Sequence, residues 1–156
     1  MSEESAIQRA AKLLAMRQYS RRGLCRKLIQ KGISEEAAEA AAARMEDLGF
    51  LDDAAYGRHL IAVSIRKGHG PLRMEQALVQ AELSQSLRQQ LLDEITPEQE
   101  EAWAFDALCR LCRNPADLAD PAARRRISAK LYRSGYHWSA IQTCLRRFLE
   151  QAGLDL

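Results

Sequence analysis

The sequence predicts an all-α protein, and three observations carry that reading. Apolar residues recur at helical spacing along nearly the whole chain. Strong helix breakers are few, 8 Gly and 4 Pro in 156 residues, and most fall between the periodic stretches. The apolar register also recurs about every fifty residues, which groups the helices in threes. The expected architecture is three tandem three-helix repeats, residues 1–51, 52–96 and 97–156, forming an elongated, curved helical array.

The first expected helix, residues 3–17, sets Ile7, Ala10, Ala11 and Leu14 on one face. Ser20 can cap the second. Its inner face carries Leu24, Cys25, Leu28 and Ile29, with Arg26, Lys27 and Lys31 pointing away, and Gly32 ends it. Ser34 starts the third, with Glu35 and Glu36 complementing its positive end. This helix is rich in Ala to about Leu48, so a neighbour can approach closely. Gly49 stops it, and Phe50 and Leu51 form an apolar plug. Asp52 and Asp53 are read as a capping pair for the helix 52–67 rather than as metal ligands. That helix has two apolar stripes, Tyr56, Leu60 and Val63 on one side and Ile61 and Ile65 on the other, so it is expected to pack on two sides. Gly68 ends it and Pro71 opens the helix 71–81. Further helices are expected at 84–95, 97–113, 121–134 and 138–150, with a loop from Asn114 to Pro121.

The repeat register rests on named positions. Leu24, Leu28, Ile33 and Ser34 fall on Met74, Leu78, Leu83 and Ser84, and these on Ile127, Leu131, Tyr136 and His137. Ala41, Ala42 and Met45 likewise fall on Leu91, Leu92 and Ile95, then on Cys144, Leu145 and Phe148. Ala10 and Leu13 match Leu60 and Val63. Trp103, Phe105 and Leu108 are expected to fill the junction between the second and third repeats.

The composition argues against several function classes. No apolar run is long enough for a membrane span and no secretory leader is visible, so a cytoplasmic protein is expected. The four cysteines, Cys25, Cys109, Cys112 and Cys144, sit in helical patterns and read as buried reduced thiols. Cys109 and Cys112 lack a second pair at zinc spacing. No nucleotide-binding loop or HExxH pattern occurs, and His59, His69 and His137 are scattered. No enzyme activity, cofactor or metal is expected.

The cations say more. The net charge is only +2, but residues 1–50 and 101–156 are basic while 51–100 are acidic. The second helix of the first repeat carries Arg22, Arg26, Lys27 and Lys31. The equivalent helix of the third carries Arg125, Arg126, Lys130 and Arg133. Either these are solvated faces or they bind phosphates or an acidic protein surface. The turn from Arg66 to Pro71 reads first as a plain helix-to-helix turn, with an anion cradle as the alternative. A helix-turn-helix reader of DNA sequence finds no support in a cluster of Asn, Gln or Arg at one helix start.

The stretch GFLDDAAYGRHLIAVSIRKGHGPLRMEQAL resembles the signature of the RecX family, bacterial regulators of the RecA recombinase. G-F-L-D-D-x-x-Y and K-G-x-G-P-x-x-[MI] are its specific parts. The resemblance extends over essentially the whole chain, including AAKLLAMRQYSRRGLCRKLIQKG and RRRISAKLYRSGYHWSAIQTCLR. It implies three tandem three-helix repeats, binding along the groove of the RecA–DNA filament, and inhibition of filament growth, ATP hydrolysis, strand exchange and repressor autocleavage. One departure stands out: the family commonly has Lys-Gly where this chain has Ala81-Glu82. The expected contacts to RecA and DNA are Arg22, Arg26, Lys27, Arg66, Lys67, Arg73, Arg125, Arg126 and Lys130. The expected partners are the RecA filament and, more weakly, single- and double-stranded DNA, met by a monomer. A helical protein that acts by coating DNA is the alternative, and a helical scaffold for an unrelated partner is a third.

Overall fold

The computed structural model describes residues 3–154, which contain nine α-helices and no strand. These are α1 (Glu3–Met16), α2 (Arg21–Gln30), α3 (Glu35–Asp47), α4 (Asp53–Arg66), α5 (Pro71–Gln80), α6 (Gln85–Asp93), α7 (Pro97–Leu111), α8 (Pro121–Arg133) and α9 (Trp138–Gln151). Each lies within one or two residues of its expected span, except that the 114–121 loop contains a 3-10 turn, Pro115–Ala119, which buries Leu118. The helices fall into two compact units. One comprises the chain up to His59 with Ala77–Leu91; the other comprises Leu60–Gln76 with the chain from Leu92 onward. Helices α4 and α5 each contribute to both.

The helix starts follow from side-chain caps. Ser20 accepts from Gly23 N–H, Ser34 from Ala37 N–H and Ser84 from Leu87 N–H, at 3.0–3.2 Å. Thr96 and Gln99 form a reciprocal capping box at α7. His137 departs from the expected cap role. It makes no side-chain cap, and its Nδ1 instead lies 2.7 Å from the buried Glu100 carboxylate, which also accepts the His137 backbone N–H.

The helix ends share one device. After α2, Gly32 N–H bonds to Ile29 and Ile33 N–H reaches back to Leu28 O. After α5, Glu82 bonds to Val79 and Leu83 to Leu78; after α8, Gly135 bonds to Tyr132 and Tyr136 to Leu131. This is the Schellman closure, in which the residue past the turn returns to pack on the last helical turn. Its central residue is left-handed: Gly32 at φ 91°, Glu82 at 63° and Gly135 at 102°. The residue that follows, Ile33, Leu83 or Tyr136, is driven into the core.

Burial follows the expected register. Leu24, Leu28 and Ile33, Met74, Leu78 and Leu83, and Ile127, Leu131 and Tyr136 are all buried. The match is weaker elsewhere. Ala41, Ala42 and Met45 are buried, as are Cys144, Leu145 and Phe148, but Leu92 is only half-buried. Ile95 lies beyond the end of α6. Both apolar stripes of α4 are half-buried. Trp103, Phe105 and Leu108 are not set apart at a junction: they belong to the core built from α7, α8 and α9. There the Phe105 ring meets Phe148 edge-on, with centroids 6.0 Å apart.

The thiols divide differently from expectation. Cys25, Cys112 and Cys144 are buried, but Cys109 is exposed because it faces off the apolar stripe of α7. Cys112 follows the end of α7, and its thiol donates to the Asn114 carbonyl at 3.1 Å. Burial pushes the Cys25 thiol up to about 11 and Cys144 to about 12, so both stay protonated at neutral pH.

Truncating Leu28, Leu78 or Leu131 to Ala should each cost about 2–5 kcal/mol, since all three are fully buried. Denaturant melts of the three variants measure this, and a variant as stable as the parent would remove that leucine from the core.

Tyr136 gives a second expectation. Its hydroxyl donates to the Gly68 carbonyl at 2.8 Å, and burial pushes it up from the ordinary 10 to about 12. The folded chain therefore holds this proton where the unfolded chain has lost it. The contribution is complete below pH 10 and disappears as the pH rises towards 12. Urea midpoints measured across that window should fall more steeply for the parent than for Tyr136→Phe.

Candidate cationic binding surface

The cations expected to bind a partner divide into those that are free and those that hold the fold. On α2, Arg22 is exposed and has no ion-pair partner among the described residues. Lys27, expected to point away, is half-buried: it lies only about 60° around the helix from Leu24 and borders the apolar stripe. Arg26 is exposed but engaged, with Nε 2.7 Å and a terminal nitrogen 2.6 Å from Glu82 Oε1. Neighbouring Arg21 is wholly structural. Its side chain pairs with Glu46 at 3.2 Å and Glu39 at 3.6 Å, and its backbone N–H donates to Asp53 Oδ1 at 2.8 Å.

Arg26 is held by Glu82, where the resemblance led us to expect glycine. Glu82 sits at the left-handed turn position that Gly32 and Gly135 fill elsewhere, and among the described residues it is the only non-glycine with positive φ. A residue with a Cβ is disfavoured in that conformation by roughly 1 kcal/mol. The carboxylate so placed reaches across to α2 and neutralises a cation that a glycine would leave free. Glu82→Gly should therefore raise the Tm by roughly 2–4 °C and release Arg26. Retention on heparin should move to higher salt. Glu82→Gln, which keeps the backbone strain but loses the charge pair, should show the retention change without the gain in Tm. Unchanged heparin retention in both variants would mean that Arg26 is not restrained by Glu82.

The central turn is not an anion cradle, because its donors are taken. Gly68 N–H bonds to Ile65 O and His69 N–H to Ser64 O. Gly70 N–H donates to Ser134 O at 2.8 Å and Leu72 N–H to Gly135 O at 2.9 Å. The K-G-H-G-P signature thus docks onto the turn after α8. Gly70 is required there, since an added Cβ would stand 2.6 Å from the Gly135 oxygen. Arg66 and Lys67 remain exposed. Arg73 is exposed as well, but one guanidinium N–H donates to the Arg133 carbonyl at 3.2 Å, on the electronegative end of α8. His69 lies in this field: burial, then Arg73 and Lys67, holds its imidazole below the usual range.

The other signature element is structural at Leu51, Asp52 and Asp53, but Phe50, expected to plug the core with Leu51, is 67% exposed. Leu51 is buried, and Asp52 caps α4 by accepting from Ala55 N–H at 3.1 Å. Asp53 does not join it there; its carboxylate caps the start of α2 through Arg21 N–H. Burial raises the Asp53 carboxyl above the usual range despite that bond. No group of three or more His, Cys, Asp or Glu among the described residues is arranged to hold a metal ion.

On α8, Arg125, Arg126 and Lys130 are exposed, without ion-pair partners among the described residues, while Ile127 and Leu131 are buried on the opposite side. The structure therefore brings Arg66, Lys67 and Arg73 into the unit that contains α8, and leaves Arg22, Arg26 and Lys27 in the other. Sequence reasoning missed Arg124, Arg146, Tyr132 and Trp138, which share a groove with Arg125. The available signal was two aromatic residues lying off the apolar stripes of α8 and α9.

Comparison with known proteins sets this architecture in a family. The model of the first three-helix domain of RecX matches residues 6–45. The Regulatory protein RecX of Stenotrophomonas maltophilia (strain R551-3) is 33% identical over 147 residues, covering 92% of this chain and 87% of that protein. The chain belongs to the RecX family. A second RecX relative, from Xanthomonas axonopodis pv. citri, is 31% identical over 154 residues, covering 95% of this chain and 90% of its own length. The crystal structure of RecX from Lactobacillus salivarius shares the fold, with a TM-score of 0.82, 15% identity, and coverage of 94% of this chain and 96% of that one. The RecX fold is thus kept where few side chains are shared, as expected of a structure held by turn geometry and an apolar register. No helix among the described residues is long and apolar enough to cross a membrane.

Proposed function

We propose that this chain binds the RecA–DNA filament along its groove and inhibits filament growth, ATP hydrolysis and strand exchange. The observation that carries the reading is likeness to Regulatory protein RecX over nearly the full length of both chains. Three tandem three-helix repeats, residues 1–51, 52–96 and 97–156, would serve this role as linked modules. A filament offers the same surface again and again, so weak patches on one chain act at high effective concentration. Free cations support this use: Arg22 on α2, Arg66 and Lys67 at the central turn, and Arg125, Arg126 and Lys130 on α8. Both DNA phosphates and acidic protein surfaces favour them, so binding weakens as salt rises. Arg26, Lys27 and Arg73 contribute less in this reading, the first because Glu82 holds it, the second because it is half-buried, and the third because it caps α8.

The test is RecA ATPase on single-stranded DNA with this protein added well below the RecA concentration. Inhibition at substoichiometric ratios supports filament regulation. Inhibition that appears only when RecA is limiting for DNA favours a DNA-coating protein instead. The double reversal Arg126→Glu with Lys130→Glu should weaken inhibition severalfold without changing the melting curve, because both side chains are exposed. Full inhibition by that variant would place the filament contact elsewhere.

A further inference from the structure

Helices α8 and α9 leave between them an open groove of about 860 Å³, of whose lining the filament reading uses Arg125 alone. Tyr132 and Trp138 stand at the end nearest the 134–137 turn, with 56% and 52% of their surfaces exposed. Arg124, Arg125 and Arg146 line the groove further along, roughly 10–12 Å away as measured by helical rise. The lining includes no Asp or Glu. None of these arginines has an ion-pair partner among the described residues. The nearby Arg147 is different: it is stacked over Phe105 at 5.0 Å and is not part of the lining.

Large aromatic side chains on a soluble surface carry a cost, since they leave apolar area in water. Two of them in one groove with three guanidinium groups that have no ion-pair partner among the described residues, and with no carboxylate in the lining, form an anion-selective groove with exposed aromatic surface. We propose that this groove binds unpaired nucleotides, stacking bases on Trp138 and Tyr132 and holding backbone phosphates with Arg124, Arg125 and Arg146. Rings at one end and guanidinium groups at the other match the alternation of flat base and charged phosphate along a single strand. A duplex does not fit this description. Its bases are stacked on each other, and a groove between adjacent helices is too narrow to admit it. Gln142 on the α9 side adds an amide that can bond to a base edge without selecting one base strongly.

This inference goes beyond the filament reading and is tested without RecA. The full chain carrying Trp103→Phe leaves Trp138 as the sole tryptophan reporter, to be titrated with an oligo(dT) strand and separately with a duplex. Stacking should quench the Trp138 emission. Trp138→Ala should lower affinity for the single strand about tenfold or more, Trp138→Phe should keep most of it, and neither should change duplex binding. Arg146→Gln should weaken single-strand binding and flatten its salt dependence. Circular dichroism and thermal melts should show each variant folded, the side chains being half-exposed or exposed. Unchanged single-strand affinity in Trp138→Ala overturns the proposal. So does a variant that keeps its DNA affinity but loses binding to RecA in the absence of DNA, which would assign the groove to an acidic protein helix. Inhibition of the RecA ATPase is a separate readout, so failure here leaves the filament reading standing on its own test.

Discussion

The turn that follows α2, α5 and α8 is the constraint on which the rest of the chain depends. Each closes with one hydrogen bond from the left-handed residue and a second from the residue after it, reaching back to the last helical turn. The second bond places Ile33, Leu83 or Tyr136 against Leu28, Leu78 or Leu131, and all six are buried. The direction in which the next helix leaves is thereby tied to the core. A backbone geometry repeated this faithfully can outlast the side chains around it, as the shared fold at 15% identity illustrates.

The same turns explain why cations of similar sequence character have different fates. A helix end gathers carbonyl groups that favour positive charge. Arg73 is drawn to the Arg133 carbonyl after α8, and Arg9 to the Lys31 carbonyl after α2. Arg26 is drawn instead to Glu82, which the turn after α5 has set in place. Of the cations expected to bind a partner, Arg22, Arg66, Lys67, Arg125, Arg126 and Lys130 meet no such group among the described residues. Several signature residues are likewise part of the framework. Asp52 and Asp53 cap two different helices, and Gly70 lets one turn lie on another without a clash.

Acidity and basicity are therefore distributed by two rules. Carboxylates sit at helix starts or beside the arginines that hold neighbouring helices together, as with Asp53, Glu46 and Glu100. Three arginines without those duties, Arg124, Arg125 and Arg146, line one groove of α8 and α9 with the exposed rings of Tyr132 and Trp138. The near-zero net charge conceals this separation, since paired and unpaired charges count equally in a sum.

Fold class, helix spans and the buried register were legible in the sequence because they depend on local periodicity and on caps a few residues away. Leu28, Leu78 and Leu131 announce their burial by spacing alone, and Ser20, Ser34 and Ser84 announce the helices they start. Family membership was legible for the same reason, through a contiguous signature. What needed the tertiary structure were pairings between residues far apart in the chain. Asp53 capping α2 spans 32 positions, and Arg26 meeting Glu82 spans 56. The placement of Trp103 and Phe105 within one core, the pairing of His137 with Glu100, and the gathering of Trp138 with Arg124 and Arg146 are of the same kind. Helical period tells which side of a helix is apolar. It does not tell which neighbour's charge lies opposite the polar side, and that neighbour decides whether an arginine holds the fold or stays free for a ligand.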